Sequence, residues 1–62
     1  MAFRYFSRKR DARKFSNALM DANGGRIPTL FRDGKLYRVQ DDTIGNERMS
    51  ELMRECGLDE GR

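Results

Sequence analysis

The stretch Ile27-Pro28-Thr29-Leu30-Phe31-Arg32-Asp33-Gly34-Lys35-Leu36-Tyr37-Arg38-Val39 decides the fold of this chain. Two runs rich in apolar residues flank Asp33-Gly34, a dipeptide that favours a two-residue hairpin turn because Asp tolerates a positive φ and Gly adopts it freely. With these two residues at the centre of the turn, Phe31 is expected opposite Leu36. One face of the hairpin then carries Pro28, Leu30, Tyr37 and Val39, and the other carries Ile27, Thr29, Phe31, Leu36, Arg38 and Gln40.

The segment before the hairpin predicts a strand followed by a helix. Residues 3–6 are rich in aromatic side chains, which favour a short strand. Ser7 is expected to be the N-cap of the helix, which residues 23–25 end. The apolar residues of this helix recur at helical spacing and predict one buried stripe, made of Ala12, Phe15, Leu19 and Ala22.

The segment after the hairpin predicts a turn and a second helix. The helix is expected from about Asn46 to Cys56, with Gly57 ending it and Leu58 packing back against it. Its apolar stripe comprises Met49, Leu52, Met53 and Cys56. Residues 58–62 are expected to form a frayed tail. The order β-α-β-β-α therefore predicts an α+β fold in one domain over residues 1–62, with a three-stranded sheet and both helices on one face.

Size and composition limit the class of protein. A chain of 62 residues buries only about 60% of its unfolded surface, so its stability is marginal without further support. One cysteine and no histidine exclude an internal disulfide and a structural zinc site. Tight packing or self-association remains, and a homodimer is one expectation. The lone cysteine, the early charges and the lack of a long apolar run favour a cytoplasmic protein with no membrane partner.

The distribution of charge indicates a first functional surface. Residues 1–40 carry ten Lys and Arg and three Asp, whereas residues 41–62 carry three Arg and seven Asp and Glu. Opposite the apolar stripe of the first helix, or at its entrance, lie residues that could contact nucleic-acid phosphates: Arg8, Lys9, Arg10, Arg13, Lys14 and Asn17. The alternative is an ordinary solvated helix face.

The uncovered face of the sheet is a second candidate surface. If the helices cover the face with Tyr37 and Val39, an apolar patch is left open, made of Ile27, Phe31, Leu36 and Arg38. Such a patch is typical of a protein interface, including one between two copies of the chain. An aromatic ring beside an arginine could also stack nucleic-acid bases, although no RNP motif is present.

Catalytic groups are scarce. The pair Asp41-Asp42 could serve acid–base chemistry or a metal, but an acidic turn before a helix is the favoured interpretation, since no third ligand is near in the sequence.

Cys56 is expected to be a buried, inert thiol. Glu47, Glu51 and Glu55 form an acidic strip, for which pairing or solvation is favoured over docking. The sequence predicts no enzyme, no cofactor, no metal and no small-molecule substrate.

Part of the sequence resembles a known family. Phe6-Ser7, followed by Ala12, Leu19 and Gly25 and then by Leu36-Tyr37-Arg38-Val39, is similar to part of a SPOR domain over the first two-thirds of the chain. Members of that family bind the glycan strands of peptidoglycan. The chain departs from the family's pattern in having no closing strand and no export segment. We therefore interpret the resemblance as a shared β-α-β-β construction rather than kinship.

These observations together predict a small binding or regulatory protein that contacts nucleic acid through its basic first helix. The alternative is a protein-interaction module, such as an inhibitor or assembly factor, that uses the open sheet face. A fragment without a dedicated partner is a third interpretation. The small size and high charge suit a product of a phage or mobile element.

Overall fold

The chain forms one antiparallel sheet covered on one side by two helices, which confirms the predicted α+β class. The structure is a computed structural model and describes residues 2–61. The sheet has the strand order β1-β3-β2, so the third strand is central. The elements are β1 (Ala2–Phe6), α1 (Lys9–Ala22), β2 (Thr29–Asp33), β3 (Leu36–Asp41) and α2 (Asn46–Cys56).

The hairpin forms where the sequence predicts it, but its turn is one residue further along. Asp33 pairs with Leu36, so the central residues are Gly34 and Lys35 rather than Asp33 and Gly34. Gly34 has a φ of +63°, and no other residue of the turn has a positive φ. This is the φ pattern of a type II′ turn, in which only the first central position needs glycine. A type I′ turn would have forced Asp33 into that region as well.

The change of register leaves the residues of β2 and β3 on their predicted faces. Phe31 lies opposite Arg38 rather than Leu36, and Leu30 lies opposite Val39 rather than Tyr37, a shift of two residues along β3. Because side chains alternate with a period of two, an even shift keeps each residue on its face. Ile27 and Pro28 precede β2 and take no part in the sheet.

The core lies between the helices and the inner face of the sheet. Phe6 of β1 contacts Phe15 of α1, with ring centroids 5.3 Å apart. Val39 on the central strand is fully buried beneath the helices. Both predicted helical stripes supply core residues, but Ala22 is exposed because α1 ends there, and Cys56 is only partly buried. The buried apolar residues are Ala2, Phe6, Ala12, Phe15, Leu19, Val39, Ile44, Met49, Leu52 and Met53.

The start of α1 differs from the prediction. The N-cap is Arg8, with extended dihedrals and no side-chain hydrogen bond to the helix, rather than Ser7. Ser7 and Arg8 connect the end of β1 to the first residue of α1, so Ser7 lies one residue too early to be the N-cap. The first turn of α1 is therefore left without a side-chain cap.

The end of α2 agrees with the prediction. Gly57 has a φ of +68°, and its amide donates to the Arg54 carbonyl. The amide of Leu58 donates to the Met53 carbonyl, and the Leu58 side chain packs against the core, which completes a Schellman motif. In the segment predicted to be a frayed tail, the Gly61 amide donates to the Tyr5 carbonyl at 2.8 Å. Arg62 lies outside the described residues.

Candidate nucleic-acid interface

The outer face of α1 gathers most of the basic residues that the sequence singles out. Along the helix these residues follow each other at spacings of one, three and four, which places them on one side. All are exposed, and together they line one open, shallow depression formed by Lys9, Arg10, Arg13, Lys14 and Asn17. Arg8 is exposed at the N-cap and does not line this depression. We call these five lining residues the α1 basic face.

Within residues 2–61, no carboxylate forms an ion pair with the α1 basic face. Among residues 2–61, the ion pairs join Arg48 to Glu51 and Glu55, each at 3.2 Å, and both lie within α2. Two residues of the acidic strip, Glu51 and Glu55, thus pair with an arginine of their own helix rather than with α1. The two acidic residues of α1, Asp11 and Asp21, make no ion pair with the basic face within that same part of the chain. The positive charge of α1 is therefore directed to solvent.

The opposite side of the molecule presents the uncovered face of the sheet. Arg38 lies at its centre on β3, with Tyr5 of β1 and Phe31 of β2 as its two cross-strand neighbours. The guanidinium carbon of Arg38 lies 4.5 Å from the ring centroid of Phe31 and 5.5 Å from that of Phe3. Phe3 in turn meets Tyr5 edge to face at 5.6 Å. We call Phe3, Tyr5, Phe31 and Arg38 the aromatic sheet face.

The aromatic sheet face agrees only in part with the predicted patch. Phe31, Leu36 and Arg38 share this face, as predicted, and Leu36 is partly buried at its end. Ile27 does not belong to it, because β2 begins at Thr29 and Ile27 stands in the preceding loop with 84% of its surface exposed.

Sequence reasoning missed Phe3 and Tyr5. The sequence predicts a strand here, but both faces of that strand carry aromatic side chains. The pattern of apolar residues therefore does not show which face is buried. The pairing of β1 with β3 determines which face is buried: Phe6 lies in the core and Phe3 lies on the outer face. The one available signal was the strict alternation of Phe3 and Tyr5 with Arg4 and Phe6.

Arg4 was also missed. It lies on the inner side of β1, where its guanidinium donates to the Asn46 side-chain oxygen at 3.0 Å and to the Ser50 hydroxyl at 3.0 Å. A third bond goes to the Asn46 carbonyl at 3.2 Å. Arg4 therefore ties the edge strand to the start of α2.

Asp41 is buried, whereas its neighbour Asp42 is exposed. Asp41 is buried and accepts hydrogen bonds from the Asn23 amide at 2.6 Å and from the Thr43 hydroxyl at 2.6 Å. The backbone amides of Thr43 and Ile44 also donate to it. Burial raises the pKa of Asp41, but these donors outweigh burial and hold the pKa below its usual value. Asp41 thus anchors the loop between β3 and α2.

Two further features of the described chain bear on function. Within residues 2–61, no three His, Cys, Asp or Glu side chains are grouped so that they could hold a metal ion. Over the same residues, neither helix has the length and apolar character needed to cross a membrane.

Comparison with known proteins gives no guide to function. No family model, no curated protein and no solved structure matches this chain. What the protein does must therefore be inferred from its own residues and their geometry.

Proposed function

We propose that this protein is a non-enzymatic module that binds nucleic acid through the α1 basic face. The observation that carries the proposal is the exposure of Lys9, Arg10, Arg13 and Lys14 on one depression with no carboxylate partner among the described residues. Unpaired cations at helical spacing neutralise successive phosphates and release their counterions, which drives association.

Two further properties of α1 support a polyanionic ligand. The positive end of the helix dipole lies at the same end as Lys9 and Arg10, so the backbone adds to the positive potential there. Asn17 lies one turn beyond Arg13 and carries an amide that can donate to a phosphate or to a base edge. The formal net charge of +3 attracts the same class of ligand over longer distances.

The proposal is tested with fluorescein-labelled duplex DNA and duplex RNA of 20 base pairs or so, measured by fluorescence anisotropy between about 50 and 200 mM salt. With about four phosphate contacts, the affinity is expected to fall roughly 100-fold over that range. The variant R10Q/R13Q/K14Q is expected to lose most of the binding at every salt concentration.

The matched control is R26Q/K35Q/R54Q. It removes the same number of positive charges from exposed positions off the α1 basic face. If net charge alone drives association, both triple variants will weaken binding equally, and the proposal fails. The proposal also fails if the unmodified protein at micromolar concentration shifts neither duplex at the lowest salt concentration.

A further inference from the structure

The aromatic sheet face carries a second binding surface, on the side of the molecule away from the α1 basic face. Both helices pack on the inner face of the sheet, so neither helix covers the outer face. Phe3 and Phe31 keep 36% and 37% of their surface exposed, although each already contacts Arg38. The exposed part of each ring is apolar surface that faces solvent.

Arg38 gives this surface its chemistry. Two rings flank its guanidinium, but its Nε is buried and has no hydrogen-bond acceptor among residues 2–61. No carboxylate of that part of the chain forms an ion pair with it. The terminal nitrogens of this planar cation carry further N–H donors, so the position suits a ligand that supplies acceptors or negative charge. The exposed rings beside it require a ligand that also supplies flat apolar surface.

Charge argues against a second copy of the chain as the occupant. Arg38 stands on the central strand, so a two-fold axis near the middle of the face would bring two unpaired guanidinium groups together. Among the residues of the three strands, the register places one carboxylate on this face, that of Asp33 at the hairpin end of β2. The Glu60 carboxylate lies at the edge of the sheet, where it accepts a hydrogen bond from the Tyr5 amide at 3.3 Å. A symmetric dimer would therefore bury like charges at its centre without a counter-charge.

Unpaired nucleotides meet each requirement of the face. A base offers a flat surface to a phenyl ring, acceptors on its edge and a phosphate alongside. The outer strands β1 and β2 lie roughly 10 Å apart across β3, which leaves room for one base on each ring with Arg38 between them. Bases within a duplex are already stacked and paired, so their flat surfaces are not offered to a protein.

We propose that the aromatic sheet face binds single-stranded nucleic acid by stacking unpaired bases on Phe3 and Phe31, with Arg38 donating hydrogen bonds between them. This inference shares its ligand class with the proposed function but uses a different surface and a different part of the ligand. The α1 basic face recognises phosphates, whereas the aromatic sheet face recognises bases.

The test compares two single strands that differ only in their bases. One probe is a labelled oligothymidylate, and the other is an abasic strand of the same length and charge. The unmodified protein is expected to bind the oligothymidylate at least about 10-fold more tightly, since each stacked base contributes measurably. Equal affinity for the two strands would overturn the inference, and this comparison needs no variant.

Variants locate the effect on the sheet. Phe31→Leu keeps an apolar side chain but removes the ring, and it is expected to lower oligothymidylate affinity about 10-fold or more while abasic binding stays unchanged. Phe3→Leu on the other outer strand should act in the same way. The control Leu30→Ala alters an exposed apolar residue of β2 on the opposite face and should leave both affinities unchanged. An unchanged preference for the oligothymidylate in folded Phe31→Leu and Phe3→Leu would also overturn the inference.

Sedimentation of the unmodified protein and of Phe31→Asp tests whether a second copy of the chain occupies the face. If the protein dimerises in a concentration-dependent way and Phe31→Asp gives a folded monomer, a second copy occupies the face and the inference is wrong. The two proposals fail separately: R10Q/R13Q/K14Q weakens duplex and abasic binding, whereas Phe31→Leu removes the preference for bases. If the unmodified protein does not bind duplexes but prefers the oligothymidylate to the abasic strand, the proposed function is wrong and this inference is supported.

Discussion

Arg38 of β3 lies over the ring of Phe31 on the neighbouring strand, with its guanidinium carbon 4.5 Å from the ring centroid. The two residues are direct cross-strand partners, so the contact is set by the register of the hairpin. Because Phe3 flanks the same guanidinium from β1, Arg38 joins both outer strands across the centre of the sheet. The aromatic sheet face is thus part of the structure of the sheet as well as a candidate binding surface.

The contact between Arg38 and Phe31 should be measurable as a coupling energy. We expect a double-mutant cycle with Arg38→Met and Phe31→Leu to give about 0.5–1 kcal/mol of interaction free energy, because a cation over an exposed ring contributes on that scale. Urea unfolding followed by circular dichroism measures the four free energies. Additive effects of the two substitutions would show that the rings and the guanidinium contact each other without stabilising the sheet.

Single substitutions on the α1 basic face should change the salt dependence of binding one contact at a time. Arg13→Gln is expected to reduce the slope of log affinity against log salt by about 1, since one phosphate contact is lost. Arg54→Gln on α2 removes the same charge elsewhere and should leave the slope unchanged. The slopes are obtained from anisotropy titrations with duplex DNA at several salt concentrations, and equal slopes for both variants would contradict a local contact at Arg13.

The buried carboxylate of Asp41 should make the free energy of unfolding depend on pH in the acidic range. Its pKa is lowered in the folded state, so its contribution is fully present above the unfolded-state pKa of about 3.9 and is lost as pH falls through the lower folded-state value. We expect Asp41→Asn to lower the free energy of unfolding at pH 7 by about 1–2 kcal/mol, because its charge-assisted hydrogen bonds are weakened.

The control for Asp41 is its exposed neighbour, Asp42. Asp42→Asn should leave stability at pH 7 nearly unchanged. Thermal unfolding between about pH 2 and pH 7 compares the two variants with the unmodified protein, over the range in which a carboxylate titrates. The acid-dependent loss should shrink in Asp41→Asn, and a loss of unchanged size in that variant would assign the acid sensitivity to other groups.

Arg4 should contribute to stability rather than to binding. Arg4→Met keeps the apolar stem but removes the hydrogen bonds to Asn46 and Ser50, so the free energy of unfolding should fall by about 1 kcal/mol. Arg54→Met, on an exposed position of α2, is the comparison. If Arg4→Met instead weakens nucleic-acid binding with no loss of stability, Arg4 belongs to a binding surface.

Gly61 should be required for the docking of the C-terminal segment on β1. A Cβ atom at this position would overlap the backbone of Phe6 and Ser7. Gly61→Ala is therefore expected to break the hydrogen bond to the Tyr5 carbonyl and to lower stability by about 1–2 kcal/mol. Amide exchange measured by NMR should show faster exchange at residue 61, and unaltered protection there would mean that the segment adapts without undocking.

Local patterns in the sequence determined the kinds of element and most of their boundaries. The spacing of Phe15 and Leu19 in α1, and of Met49 and Met53 in α2, identifies the buried side of each helix because a helix repeats every 3.6 residues. The sequence placed Phe31 and Arg38 on one face of the hairpin, and the structure confirms this although the predicted register was wrong. A shift of two residues along a strand does not change the face on which a side chain lies.

Contacts between distant segments were decided only by the tertiary structure. The sequence contains no local signal that β1 pairs with β3, so it could not place Phe3 and Tyr5 beside Arg38. The position of the turn depended on which residue could adopt a positive φ with the least strain. In this turn that residue is Gly34. Strand order and cross-strand neighbours follow from how the helices pack over the sheet, which depends on the whole chain at once.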